Sequence, residues 1–533
     1  FIFLVLGDSQ HPHYFYGALV ALPLFGLAIF LHFRRRKLKH LLYIRNQWGK
    51  AVTQKRNFDT IALYHRFNPS LGTIDDSTWH DLNMNELYSC IDRTLTSPGE
   101  GVLYQLLRTP CTAEGVQELK YRDQLISLLL EDARTREALQ IALSSMSKDS
   151  THTLTHLLWD RLPAKNPWAF IYSLLALAAL AVLAAPFILG PPGLSLVMVM
   201  FSINSIVHYQ VRKKYSFHIP SITSLSALFR AARRLVGARL PDMEEEQRKL
   251  KTGLAATRKL QRKVRYLFLD TGTTSDILIL IQYIQILFLV EVRSFYGALE
   301  EIKRTIEVLR EVYSRVGFLD AMQAAASYRV GLDYTQPEFT AVKCLKAVNI
   351  RHPLLDEAVP NSIAIQDQGI LITGSNMAGK STFLRTLGVN VILAQSLYIS
   401  TAESYTASFL FVATSINKAD NISQQKSLYF AEAERLLNII RPHSDEPTLL
   451  LIDELLSGTN YTERLAASAA ILNYLTSSNT LVVVATHDLD LAENLGETYL
   501  FYHFSDKVDR NNLDFDYTLK PGIATSRNAI KLL

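Results

Sequence analysis

Residues 373–388 read TGSNMAGKSTFLRTLG and hold the complete pattern G-x-x-x-x-G-K-[ST] as Gly374, Gly379, Lys380 and Ser381. Each residue type has a task at that spacing. Glycines let the backbone turn a row of N–H groups toward a phosphate chain, the lysine brings a charge to the β- and γ-phosphates, and the hydroxyl after it ligates magnesium. Gly374, Ser375, Asn376, Met377, Ala378, Gly379, Lys380, Ser381 and Thr382 are therefore the expected cradle for ATP and Mg2+. Downstream, TLLLID ends at Asp453 with Glu454 directly after it, and LVVVATHD carries His487. Asp453 suits the magnesium shell beside Ser381, Glu454 suits orienting or deprotonating the attacking water, and His487 suits a γ-phosphate contact.

These groups meet only if strands deliver them to one edge. Gly369-Ile370-Leu371-Ile372 precedes the loop, TLLLID and LVVVAT are uninterrupted apolar runs, and the loop opens into a helix-like stretch. Strands buried on both faces read this way in parallel sheets. An α/β P-loop domain is expected over residues 331–533.

At 533 residues the chain is long for one core, so several units are expected. A net charge of +5 is too small a bias, without local clustering, to argue for nucleic acid. Cys90, Cys111 and Cys344 lie far apart without metal-ligand spacing, which argues against a disulfide framework or zinc site and for free thiols in a reducing compartment. The opening FIFLVLG reads as the tail of a preceding helix, so the chain is expected to begin inside a longer product.

Two segments are built for lipid. Residues 14–33 (YFYGALVALPLFGLAIFLHF) carry no formal charge over about twenty positions, a bilayer's hydrocarbon thickness, and Arg34-Arg35-Arg36-Lys37 follow as a cytoplasmic stop. Residues 168–211 comprise two apolar runs joined by Gly190-Pro191-Pro192-Gly193. They read as a transmembrane hairpin, with Arg161 and Lys165 before it and Arg212-Lys213-Lys214 after it on the cytoplasmic side. The alternative is a helical hairpin buried in a soluble core. A third run, residues 277–290, is only about fourteen residues long and holds Gln282 and Gln285, which suggests a buried core helix.

Between Arg248 and Arg265 no acid occurs. Arg248, Lys251, Arg258, Arg262 and Arg265 recur on one helical side, while Leu250, Leu254, Leu260, Val264 and Leu267 fall on the other. Such a face can follow a DNA backbone, lie on anionic headgroups or simply be solvated.

SNMAGKST, LLLIDELLSGTN and VATHDLDLA together resemble the ATPase domain of the MutS family of mismatch-repair proteins, which are ABC-type ATPases. NIRHPLLDEAVPNSIAI is similar to that family's lead-in to the P-loop. SLYFAEA resembles its S-T-F-x-x-E segment, which acts across the ATPase dimer. The resemblance implies a homodimer in which Ser427 reaches the partner's γ-phosphate. Leu428 stands where the family has threonine, and the family arginine of D-E-x-G-R-G-T is missing from Asp453–Thr459. DLNMNELYSCIDRTLTSPGEGVLYQLLRTP and GFLDAMQAAASYR are similar to the opening of the helical core and the end of the lever helices, and the mismatch-reading domain has no counterpart.

The expected order is a transmembrane segment with basic stop (1–40), a linker (41–78), a helical core (79–160), a transmembrane hairpin (161–215), a helical lever region (216–330) and the ATPase (331–533). The family resemblance implies ATP hydrolysis coupled to double-stranded or branched DNA, without a mismatch reader. The membrane partners are lipid, with a bacterial inner-membrane location and a cytoplasmic ATPase. The alternative is an ABC-like mechanical ATPase acting on a membrane or protein partner with no DNA role.

Overall fold

The computed structural model describes residues 14–53, 55–70, 72–160, 162, 168–214, 218–265, 283–375, 377–416, 434–437, 446–456, 460–509 and 512–523. The helical part is organised around two helices that approach closely. Helix Ser97–Arg108 starts at TSPGEG, where the Thr96 hydroxyl caps the N–H of Gly99 and Pro98 fills the first turn. It packs on the long helix Ile306–Arg329. A Cβ at Gly99 would lie 2.2 Å from Asp320 Oδ2, and one at Gly317 only 2.6 Å from the Pro98 carbonyl. The glycines therefore set the interhelix distance. The buried Asp320 carboxylate accepts from the N–H groups of Leu95 (3.0 Å) and Thr96 (2.8 Å) and from the Thr96 hydroxyl (2.6 Å), and burial pushes its pKa up to about 6.

The expected linker is a correction. Helix Tyr14–Gln47 runs on past the basic stop, and its end is fixed by Arg45 on Glu137 at 2.6 Å. Short helices Phe58–Ile61 and Leu63–Phe67 follow, and Ile61 and Ile74 are buried in the helical core. Helices this short show no apolar period, so the pattern could not reveal them.

The hairpin consists of helices Ala169–Val182, Ala185–Leu189 and Pro191–Lys214, turning at Gly190 with φ +68°. Two stretches, Ala169–Leu189 and Pro191–Lys214, are long and apolar enough to cross a membrane. Their large side chains face outward: Phe187 is 92%, Ile188 78% and Met198 73% exposed. The alternative of a hairpin buried in a core is not what the fold contains. Of residues 277–290, the described part begins at 283, and there the expectation of a buried core helix fails. Tyr283 and Ile284 are exposed, and the segment lies along the second hairpin helix. Tyr283 meets the Phe201 ring, Asn204 Nδ2 donates to the Leu287 carbonyl at 2.5 Å, and His208 contacts Glu291 at 2.8 Å. Leu289, in the left-handed region at φ +48°, ends this segment before helix Val290–Arg304.

Helices His218–Gly237, Glu244–Ala256 and Arg258–Arg265 complete the lever region. Leu250, Leu260 and Val264 are buried, and Arg248, Lys251, Arg258 and Arg262 are exposed, as the helical period requires.

Among the described residues, the C-terminal part from residue 331 on holds ten strands. These are β1 (Glu338–Phe339), β2 (Leu345–Ile350), β3 (Asn361–Ile365), β4 (Gly369–Thr373) and β5 (Ser404–Ala407), then β6 (Phe411–Ser415), β7 (Thr448–Asp453), β8 (Thr480–Thr486), β9 (Tyr499–Asp509) and β10 (Asn512–Pro521). A small sheet runs β1-β5-β2-β3, and the main sheet runs β10-β9-β4-β8-β7-β6. In the main sheet β9, β4, β8, β7 and β6 are parallel and β10 is antiparallel at the edge. β4 is buried along its whole length, which accounts for the unbroken apolar run Ile370-Leu371-Ile372.

Candidate functional site

Because β8 lies between β4 and β7, the carboxyl ends of all three open side by side, where ligands bind in open α/β sheets. β4 delivers the loop, β7 delivers Asp453 and Glu454, and β8 delivers His487. The loop glycines are needed for different reasons. Gly374 has φ +142°, and a Cβ there would lie 2.8 Å from the Phe504 carbonyl; Gly379 has φ +100° and caps the start of helix Lys380–Leu397.

Lys380 is 2% exposed, and its Nζ donates to the loop carbonyls of Gly374 (2.7 Å) and Ser375 (2.8 Å). The ammonium is thus held inside the loop that Ser375, Met377, Ala378 and Gly379 form. Ser381 Oγ contacts Asp453 Oδ2 directly, across the boundary between helix and strand. Thr382 lies in the wall of an adjoining cavity. Glu454 adopts φ +56°, strained for a residue with a side chain, and its N–H donates to the Ala485 carbonyl at 2.9 Å. That link to β8 turns the Glu454 carboxylate onto His487 Nδ1 at 2.7 Å. Glu454 is partly buried, whereas His487 is about half exposed.

All the site residues drawn from the sequence converge here except two that lie outside the described residues, Asn376 and Ser427. A hydroxyl and a carboxylate in contact form a hard oxygen pair, which fits Mg2+ completed largely by water and phosphate.

The sequence left one part of the site unassigned. A cavity of about 410 Å³ adjoins the loop, lined by His352, Val359, Asn361, Met377, Phe383 and Tyr517 among others. Burial, with Arg385 nearby, pushes the His352 pKa down to about 4, so its ring is neutral at pH 7 and Nδ1 accepts from the Leu354 N–H at 3.2 Å. Asn361 closes the wall by donating to the Tyr517 carbonyl at 3.0 Å and accepting from the Leu519 N–H at 2.7 Å. His352 and Asn361 both belong to the NIRHPLLDEAVPNSIAI lead-in, so the signal was present but its role was not.

Comparison with known proteins agrees with this geometry. Residues 370–532 match the family model described as MutS domain V. The chain is 30% identical over 243 residues to the DNA mismatch repair protein MutS of Thermus aquaticus, covering 45% of this chain and 30% of that protein. It is 31% identical over 225 residues to the endonuclease MutS2 of Staphylococcus carnosus, covering 41% and 29%. To the mitochondrial DNA mismatch repair protein mutS homolog of Sarcophyton glaucum it is 28% identical over 252 residues, covering 44% and 26%. The match thus spans less than a third of each relative's length. The fold and site define a P-loop ATPase domain of the MutS domain V type. The similarity to MutS proteins is carried by that domain, which matches MutS domain V over residues 370–532.

Proposed function

We propose that this protein is a membrane-anchored ATPase that hydrolyses MgATP at composite dimer sites and couples the cycle to double-stranded or branched DNA. The observation that carries the ATPase reading is the convergence of Lys380, the Ser381–Asp453 pair and the Glu454–His487 pair at adjacent strand ends. Lys380 would hold the β- and γ-phosphates, and the His352–Tyr517 cavity has the size and mixed lining for a base and sugar. Ser381 and Asp453 would hold Mg2+, which when bound neutralises charge developing on the phosphates. Glu454, oriented by His487, accepts the proton of the attacking water. By family resemblance Ser427 of one subunit completes its partner's site.

Replacing Glu454 by Gln keeps the shape of the site but removes the base, so turnover should fall about 10²- to 10³-fold while ATP binding is retained. Unchanged turnover would refute the assignment. Lys380→Ala should weaken ATP binding itself.

The DNA part of the reading is supported by the similarity to DNA mismatch repair proteins and by the exposed basic face from Arg248 to Arg262. The membrane part is supported by the outward apolar faces of Ala169–Leu189 and Pro191–Lys214, and the flanking basic clusters favour a cytoplasmic ATPase at a bacterial inner membrane. A second reading, a mechanical ATPase working on the membrane segment without DNA, is favoured by one feature. The hairpin rests on helix Val290–Arg304, which leads into Ile306–Arg329, and Arg329 Nη2 donates to the Leu397 carbonyl at the end of the P-loop helix. Salt-dependent binding of duplex or junction DNA by the detergent-purified chain separates the two, since phosphate contacts release counterions.

A further inference from the structure

We propose that the cleft between the first hairpin helix and helix Val290–Arg304 binds the phosphodiester of an acidic membrane phospholipid, of which phosphatidylglycerol is the simplest. The proposal rests on the membrane reading of the hairpin and adds a ligand to it.

The cleft has a volume of about 430 Å³, and its walls include Phe170 and Ser173 from the hairpin and Arg293, Tyr296, Glu300 and Lys303 from the neighbouring helix. Its level relative to the bilayer follows from register. Asn204 meets Leu287 and His208 meets Glu291, each pair 83 positions apart, so the second hairpin helix and its neighbour run side by side in the same direction. Extended along both segments, the same offset sets Lys214, the last of the basic residues closing the hairpin, level with Gly297. Two independent contacts mark that level. Tyr172, near the cytoplasmic start of the first hairpin helix, stacks on Tyr296 with centroids 5.5 Å apart, and Lys263 Nζ donates to the Gly297 carbonyl at 3.1 Å. Arg293 therefore lies about one turn to the membrane side of the boundary and Lys303 nearly two turns to the water side. The cleft spans the depth of the lipid phosphates.

Its chemistry matches that depth. Two cations and one carboxylate leave a net charge that one phosphodiester neutralises. Arginine beside a phosphate forms paired charge-assisted hydrogen bonds, and its apolar stem remains among lipid chains. Phe170 and Tyr296 supply ring faces for the glycerol and first methylenes. Glu300 and Lys303 each also have an interaction within the chain. Headgroup hydroxyls can donate to the Glu300 carboxylate. A choline headgroup has no such donor and cancels the phosphate charge, so phosphatidylcholine should be the poor ligand.

The test uses the full chain in detergent, titrated with phosphatidylglycerol, phosphatidylcholine or glycerol 3-phosphate and read as retained lipid by native mass spectrometry. Phosphatidylglycerol should bind the parent protein with clear preference, and R293A/K303A should weaken it about tenfold or more. A charge-matched control, K120A/K346A, which alters exposed residues away from the cleft, should leave it unchanged. Equal weakening by both variants, or none by R293A/K303A, overturns the cleft assignment. Glycerol 3-phosphate binding as tightly as the lipid would make the ligand a soluble phosphate and overturn the proposal as well. Release of the parent chain from membranes by alkaline carbonate overturns the hairpin reading instead, and this measurement is independent of Arg293 and Lys303.

Discussion

Asp81 joins the helical domain to the ATPase, and its removal has a calculable cost. The carboxylate is 2% exposed, and its Oδ2 accepts from Thr414 Oγ1 at 2.7 Å, from the Ile416 N–H at 2.9 Å and from Arg435 Nη2. Its backbone carbonyl accepts from Arg385 Nε, on the P-loop helix, at 2.7 Å. Asp81→Ala strands a guanidinium and a buried N–H together. Breaking a buried pair by removing one partner costs about 3–5 kcal/mol. The Arg435 side chain keeps 23% of its surface in water and still donates to the Thr414 carbonyl at 3.0 Å, so the lower end of that range applies. The lost acceptor for Ile416 contributes within the same figure, because terms in one network do not add. Asp81→Ala is therefore expected to destabilise by about 3 kcal/mol. Urea unfolding of the detergent-purified chain, followed by circular dichroism, measures this. A cycle with Asp81→Asn and Arg435→Met should show a coupling of about 1 kcal/mol or more. A loss under about 1 kcal/mol for Asp81→Ala, or additivity within about 0.5 kcal/mol in the cycle, would refute the reasoning.

Two further outcomes are expected. His352 has a folded pKa of about 4 against an ordinary 6.5, so the stability it contributes is complete above pH 6.5 and is lost as pH falls through 4. Between pH 7 and pH 5 the loss is about 2 kcal/mol, and His352→Gln should flatten the urea midpoint over that interval; an unchanged slope assigns the pH dependence elsewhere. For topology, Ser195 is exposed beside the hairpin turn, and a cysteine there, with Cys90, Cys111 and Cys344 replaced, should react with an impermeant thiol reagent in intact cells. Labelling only after lysis would place the turn with the ATPase and overturn the membrane reading.

What the sequence determined by itself was chemistry carried by local pattern. Gly374, Gly379, Lys380 and Ser381 are spaced by the turn they make, and TLLLID and LVVVAT are apolar throughout because β7 and β8 are buried. The lengths and flanking charges of the hairpin runs, and the two faces of the basic helix, were legible because helical period and span length are properties of consecutive residues. Tertiary structure decided what depends on distant chain segments meeting. The order β4-β8-β7 puts His487 on Glu454, and the lead-in wraps back to make His352 and Asn361 a cavity wall. It also drew the expected linker into the helical core and laid residues 283–290 against the hairpin. Helices of four and five residues, like an apolar run of ambiguous length, leave several packings open. The choice between them was made by neighbours far away in the chain, Asp320 beneath Gly99 and Asn204 beneath Leu287 among them.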